Sequence, residues 1–216
     1  GANKTLRHLY LGTNGITERS APRIAEFLAR DCVLESFYLS CNRLGDEGAA
    51  QIASGLAANR TISRVSLASN CIGPTGAAAL AEALTGHPSI ALFDLGFTKA
   101  TVAVGELGNF IGDEGARSLA RMLEHNTSLW SLDLLHNYIS QVGVNHLREA
   151  LKLNRTLVHL QLTQFGRVHN EPGKEELRAA LQRNRALVPP ELADRVEKIG
   201  LPDHITEIYS VYRTHS

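Results

Sequence analysis

The sequence predicts an α/β solenoid, a horseshoe segment of about six strand–turn–helix units. A parallel sheet should line its concave face and helices its convex face. Three observations predict this. Six segments share the pattern apolar, x, x, apolar, x, Leu, x, x, Asn, x, apolar. They start at Leu6, Leu34, Ile62, Ile90, Leu129 and Leu157, so successive starts differ by 28, 28, 28, 39 and 28. A stretch with helical apolar spacing follows each recurring turn, as in GDEGAAQIASGLAANRT, where Ala49, Ile52, Ala53 and Leu56 share a face.

Each unit opens on a strand. LRHLYLGTNGI, LESFYLSCNRL and ISRVSLASNCI alternate apolar and polar residues over a few positions, which puts the apolar set in the core. The residues between them should line the concave sheet. Tyr10, Tyr38, Arg64, Asp94, Asp133, His159 and Gln161 all fall on that face.

A turn follows the strand. Asn14, Asn42, Asn70, Asn109 and Asn137 hold one repeat position. An amide there both donates to and accepts from backbone. Stacked copies should form a ladder that satisfies buried backbone groups. The sixth unit has Phe165 instead, so the ladder should stop there. GDEGA, at Gly45–Ala49 and again at Gly112–Ala116, reads as turn plus helix cap, with Asp46 capping the helix it begins. It lacks the alternating ligands of a metal loop. Pro74 suits a first helical turn.

Each helix ends in a second turn. Four sites match the glycosylation signal: Asn3-Lys-Thr, Asn59-Arg-Thr, Asn126-Thr-Ser and Asn154-Arg-Thr. Each stands three places before a strand-starting apolar residue, which favours a structural turn over a glycan.

The fourth unit breaks the period. Its spacing of 39 against 28 marks an insertion at about 98–108, between Leu95 and Asn109. Lys99 and Glu106 lie in it. A loop at a strand end is a natural binding lip. Trp130, the one tryptophan, sits at the sheet margin in the next unit and is expected either to pack under that loop or to stand partly exposed as a contact anchor.

The motif LxxLxLxxNxL, with a GAxxLAxxL-like helix at this regular period, resembles the leucine-rich repeats of the ribonuclease-inhibitor type. That resemblance spans about residues 3–187. It implies the horseshoe fold. It also implies a choice among protein recognition, regulation of an enzyme (as in nuclease inhibitors and Ran GTPase-activating proteins) and a recognition module of a larger receptor or effector.

The two ends are expected to differ. GANKT looks like the last turn of an earlier unit, which suggests a longer chain or an edge that meets another chain. Residues 188–216 read as a helical cap on the repeat domain of residues 1–187. Leu192, Val196 and Ile199 form one face, and Ile205, Ile208, Tyr209 and Tyr212 another.

Composition narrows the function. Lys plus Arg equal Asp plus Glu at 22 each, so there is no basic footprint for nucleic acid or an anionic membrane. No apolar run reaches the ~20 residues of a membrane span. Three cysteines without a CxxC argue against a disulfide framework or a zinc site and for a reducing, cytoplasmic setting. No phosphate loop, nucleophile elbow or metal-spaced histidine pair is present. The expected function is therefore non-catalytic recognition of a partner protein, without cofactor or metal. The expected contact residues are Tyr10, Tyr38, Arg64, Asp94, Lys99, Glu106, Trp130, Asp133, His159 and Gln161.

Overall fold

The computed structural model describes residues 3–30, 33–97, 107–162 and 173–192. The insertion residues Lys99 and Glu106, Phe165, and the cap residues Val196, Ile199, Ile205, Ile208, Tyr209 and Tyr212 lie outside them.

Among the described residues, six short strands alternate with six helices. They are β1 His8–Tyr10, α1 Ala21–Arg30, β2 Ser36–Tyr38, α2 Gly45–Ala58, β3 Arg64–Ser66, α3 Pro74–Thr85, β4 Leu92–Asp94, α4 Gly112–His125, β5 Ser131–Asp133, α5 Gln141–Leu153, β6 His159–Gln161 and α6 Lys174–Ala186. A further helical turn begins at 190–192. All six strands join one parallel sheet in the order β1-β2-β3-β4-β5-β6. Consecutive strands pair, because each helix returns the chain to the next position along the sheet.

The register carries the arithmetic of the sequence. Tyr10 pairs with Tyr38, Tyr38 with Ser66 and Ser66 with Asp94, each one period apart. Asp94 then pairs with Asp133 across the longer fourth spacing, and Asp133 with Gln161. The extra residues between β4 and α4 therefore leave the register of the sheet unchanged.

The core lies between sheet and helices. Phe37, Val65, Phe93 and Leu132 project into it from mid-strand. Ile52, Leu56, Leu80, Leu84, Leu119, Leu123, Leu147 and Leu151 meet them from the helices. Burying one such side chain is worth roughly 1.5–3 kcal/mol, so the continuous stack outweighs what any single unit could gather. Helices approach closely where a side chain is missing: a Cβ at Gly55 would stand 2.6 Å from the Ala25 carbonyl oxygen.

The asparagine ladder forms as expected. Asn42 Oδ1 accepts from Asn14 N (3.1 Å) and Ile16 N (2.9 Å), and its Nδ2 donates to Leu39 O (2.9 Å). Asn109 Oδ1 accepts from Asn70 N (2.9 Å) and Ile72 N (3.0 Å), which carries the ladder across the insertion. Asn137 Nδ2 donates to Leu95 O at 2.8 Å. Thr13, Cys41, Ser69 and His136, each one place before a ladder asparagine, take left-handed φ angles of 53–60°. That conformation is costly for residues with a Cβ, and the ladder bonds hold it in place.

A second ladder runs along the helix ends. Asn59, Asn126 and Asn154 are 1–3% exposed. Each Nδ2 donates to a carbonyl at the end of the preceding helix: Leu28 O, Leu84 O and Leu123 O. Each Oδ1 accepts from the strand-starting residue, Ile62, Leu129 or Leu157, at 2.7–2.8 Å. An amide so buried and so bonded has no face for a glycan. Asn3 makes the same turn, accepting from Leu6 N at 2.9 Å, but is only half-buried. Asn184, fully buried, donates to Leu157 O at 2.8 Å and extends this ladder into α6.

Asp46 corrects the expectation for the helix cap. The residue at the N-cap of α2 is Leu44, with no side-chain cap bond, and Asp46 lies in the first turn. Its Oδ1 instead accepts from Gly73 N (2.6 Å) and Gly76 N (2.9 Å), at the start of α3. Asp113 repeats the arrangement: Oδ1 accepts from Ser140 N (2.8 Å) and Gly143 N (2.9 Å), at the start of α5. The GDEGA carboxylate caps the neighbouring helix because the unpaired first-turn N–H groups of that helix lie beside it. Pro74 does stand in the first turn of α3.

Candidate functional site

The concave sheet face is a stripe of six residues, one from each strand: Tyr10, Tyr38, Ser66, Asp94, Asp133 and Gln161. A second row holds His8, Ser36, Arg64, Leu92, Ser131 and His159. Strands this short hold both rows in tight register, with neighbours ~4.8 Å apart.

One end of the stripe is aromatic. Tyr10 and Tyr38 stack with ring centroids 4.7 Å apart and planes 2° from parallel. Tyr10 is 53% exposed. Burial, then the neighbouring Tyr10, raises the Tyr38 hydroxyl pKa above its ordinary value. The pair is a broad apolar surface with two hydroxyl edges.

The middle is hydroxyl-rich and closed. Ser40 Oγ meets Ser66 Oγ at 2.7 Å, and Ser66 Oγ donates to Asp94 Oδ2 at 2.6 Å. Gly96 N donates to Asp94 Oδ1 at 2.8 Å. Ser36, Ser66, Asp94 and Ser131 are buried, so this stretch of the face is less open than strand alternation alone implies.

Asp133 is the half-buried partner of Asp94 across β4–β5. Its Oδ1 accepts from Leu135 N at 2.8 Å. The two carboxylates share the space above Gly96, where a Cβ would stand 2.7 Å from Asp133 Oδ1 and 3.2 Å from Asp94 Oδ1. Burial raises the Asp94 pKa. Burial and then the charge of Asp94 push Asp133 up to about 7. Two carboxylates drawn out of water side by side resist ionising together.

The far end returns to neutral polar groups. His159 Nδ1 lies 3.0 Å from Ser131 Oγ, and Gln161 Nε2 lies 3.5 Å from His159 Nε2. Burial, then Arg185, lowers the His159 pKa.

The structure thus gathers Tyr10, Tyr38, Asp94, Asp133 and Gln161 on one stripe, with Arg64 and His159 one row away. Trp130 stands half-buried at the sheet margin, its backbone N donating to Ala91 O at 2.8 Å. Its expected packing under the insertion falls on residues outside the described ones. Sequence reading missed the aromatic cluster around the insertion stem. There, Phe97 sits edge-on to His136 at 6.2 Å, and a Cβ at Gly108 would stand 3.2 Å from the Phe97 ring. Phe110 and Tyr138, each following a ladder asparagine, are exposed nearby in sequence.

Among the described residues, no group of three or more His, Cys, Asp or Glu is placed to hold a metal ion. No described helix is long and apolar enough to cross a membrane.

Comparison with known proteins agrees with this architecture. A family profile described as Leucine Rich repeat matches residues 30–53 and 58–81. Solved structures of similar fold include leiomodin-1 actin-binding site 2, at 19% identity and a TM-score of 0.53, covering 88% of this chain and 86% of that one. They also include the tropomodulin C-terminal domain of Caenorhabditis elegans, at 16% identity and a TM-score of 0.61, covering 85% and 99%. No curated protein sequence matches the chain. The period, the asparagine ladder, the parallel sheet and the two matched segments give this chain a leucine-rich-repeat solenoid fold.

Proposed function

We propose that the protein is a non-catalytic recognition scaffold that binds a partner protein on its concave sheet, with the insertion at 98–108 as a lip. The observation that carries this reading is the Tyr10–Tyr38 stack, with Tyr10 exposed and Tyr38 half-buried, on the same stripe as the Asp94–Asp133 pair. Aromatic surface beside fixed polar groups is what protein interfaces concentrate at their centres. The three cysteines and the buried sequon asparagines favour a reducing, cytoplasmic setting.

Capture experiments test the reading. The concave variant Y10A/Y38A is compared with the convex variants E82A and R121A, whose side chains are exposed on α3 and α4. Actin is the first partner to assay, since one protein of similar fold is described as an actin-binding site. Partner capture lost in Y10A/Y38A and kept in E82A and R121A is the expected outcome. Capture that survives Y10A/Y38A and fails in the convex variants moves the interface to the helices.

A further inference from the structure

The two members of the acidic pair are satisfied unequally. Asp94 has donors on both oxygens, Ser66 Oγ and Gly96 N. Asp133 has the Leu135 N–H on Oδ1 and, among the described residues, no donor on Oδ2. Among the described residues, the charged and titratable groups on the same face of the neighbouring strands are Tyr38 on β2, Arg64 on β3 and His159 on β6, with His136 following β5. Among the described residues, neither Arg64 nor His159 forms an ion pair with either carboxylate. Arg64 pairs in register with Leu92, one same-face step along the strands from Asp94.

Such an arrangement is expensive in the unbound protein and complementary to one kind of group. Two carboxylates on adjacent strands, converging over a glycine, present acceptors ~5 Å apart. A guanidinium is planar, offers five donors in a fixed fork, and sheds water more readily than an ammonium. The half-buried Tyr38 ring two strands away, stacked on the exposed Tyr10, offers an apolar surface for the residue beside it. Charge complementarity therefore selects the occupant.

We propose that the Asp94–Asp133 pair is the receptor for an arginine side chain of the partner protein, seated over Gly96 with the adjoining partner residue against Tyr38. This rests on the reading of the concave sheet as the partner surface. Docking has a proton cost. The pair holds a proton near neutral pH, because burial and the neighbouring charge push Asp133 up to about 7. The incoming guanidinium expels that proton to solvent. Affinity should then rise with pH, by up to about tenfold per unit below the unbound pKa, and level off above it.

The test uses the full chain, observed by amide NMR, with N-acetylarginine amide as probe and N-acetylcitrulline amide as its neutral isostere. The arginine probe should shift the Gly96 and Leu135 amides saturably, with about tenfold tighter binding at pH 8 than at pH 6. The citrulline probe should leave both amides in place at the same concentrations. D133N should weaken the arginine probe by about tenfold and flatten its pH dependence. The arginine–citrulline comparison needs no variant, so a D133N protein that fails to fold does not stall the test. Equal shifts from the two probes, pH-independent binding, or no shift at Gly96 and Leu135 would overturn the proposal. Partner capture separates the two readings. If Y10A/Y38A loses capture while D133N keeps it in full, the arginine seat is wrong and the concave surface stands.

Discussion

Asp46 Oδ1 lies 2.9 Å from the backbone nitrogen of Gly76, in the next repeat. The bond ties two units through a helix end, and Gly76 permits it: a Cβ there would stand 2.7 Å from the same oxygen. D46A should cost about 0.5–2 kcal/mol in urea unfolding, the usual range for a lost helix cap. D46N, which keeps an acceptor, should cost less. Amide exchange should speed up in the first turn of α3 and not in that of α2. Unchanged exchange at Gly76 in D46A would show that the bond contributes nothing.

That cap marks the boundary of what the sequence made legible. The period, the strand positions, the asparagine ladder and the length of the insertion were all written in residues that recur one period apart. The direction of Asp46 was not, because GDEGA is equally compatible with capping its own helix or its neighbour's. Only the distance between adjacent helices decides, and that distance is a property of packing. The acidic pair was half legible. Asp94 and Asp133 were placed on one stripe, but the burial of Asp94 depends on packing that strand alternation does not encode. His87 was legible and overlooked. It stands one period after Asn59 and three places before Ile90, in the slot that asparagine fills in four other units.

His87 gives that slot a pH dependence. Its Nδ1 accepts from Ile90 N at 3.1 Å and Ser89 N at 3.3 Å, so the proton must sit on Nε2, which donates to Leu56 O at 3.1 Å. A second proton would face two donors. Burial lowers the His87 pKa below its ordinary 6.5. The folded state therefore binds fewer protons than the unfolded one, and stability present above about pH 6.5 is lost as pH falls below it. H87N should keep both kinds of hydrogen bond and remove that loss. Denaturation midpoints at pH 7.5 and pH 5.0 should lie closer together in H87N than in the parent. An equal gap in both proteins would place the acid sensitivity elsewhere.

The Asp94–Asp133 pair works in the opposite direction. Its protonated form is favoured by folding, since Asp133 is raised from 3.8 to about 7. Between these values the folded state holds the proton that the unfolded state has released. Stability from this source is full below about pH 4 and falls as pH rises to about 7. D133N removes the repulsion and should raise the denaturation midpoint at pH 8 more than at pH 4.5. Because H87N and D133N act with opposite slopes, measuring both across pH 4.5–8 separates the two groups. A D133N protein destabilised equally at both pH values would mean that the carboxylate is held for packing and not under charge strain.

The bonds described above all join residues outside 98–108. β4 and β5 pair across a longer sequence offset than every other pair of neighbours, yet Asn109 still bonds Asn70 N and Ile72 N as the ladder requires. The sheet and the ladder thus ignore the extra length, and lengthening a loop costs little entropy. Deleting 98–108 joins Phe97 to Asn109 and restores the common spacing. Phe97 loses Gly108 as a packing neighbour but keeps His136. The deleted protein should unfold in one cooperative transition, with a midpoint close to that of the parent. If the insertion is the lip of the binding surface, capture of the partner should weaken while the arginine probe still shifts Gly96 and Leu135. A chain that fails to fold would show that the segment belongs to the core of the fourth unit and is no accessory loop.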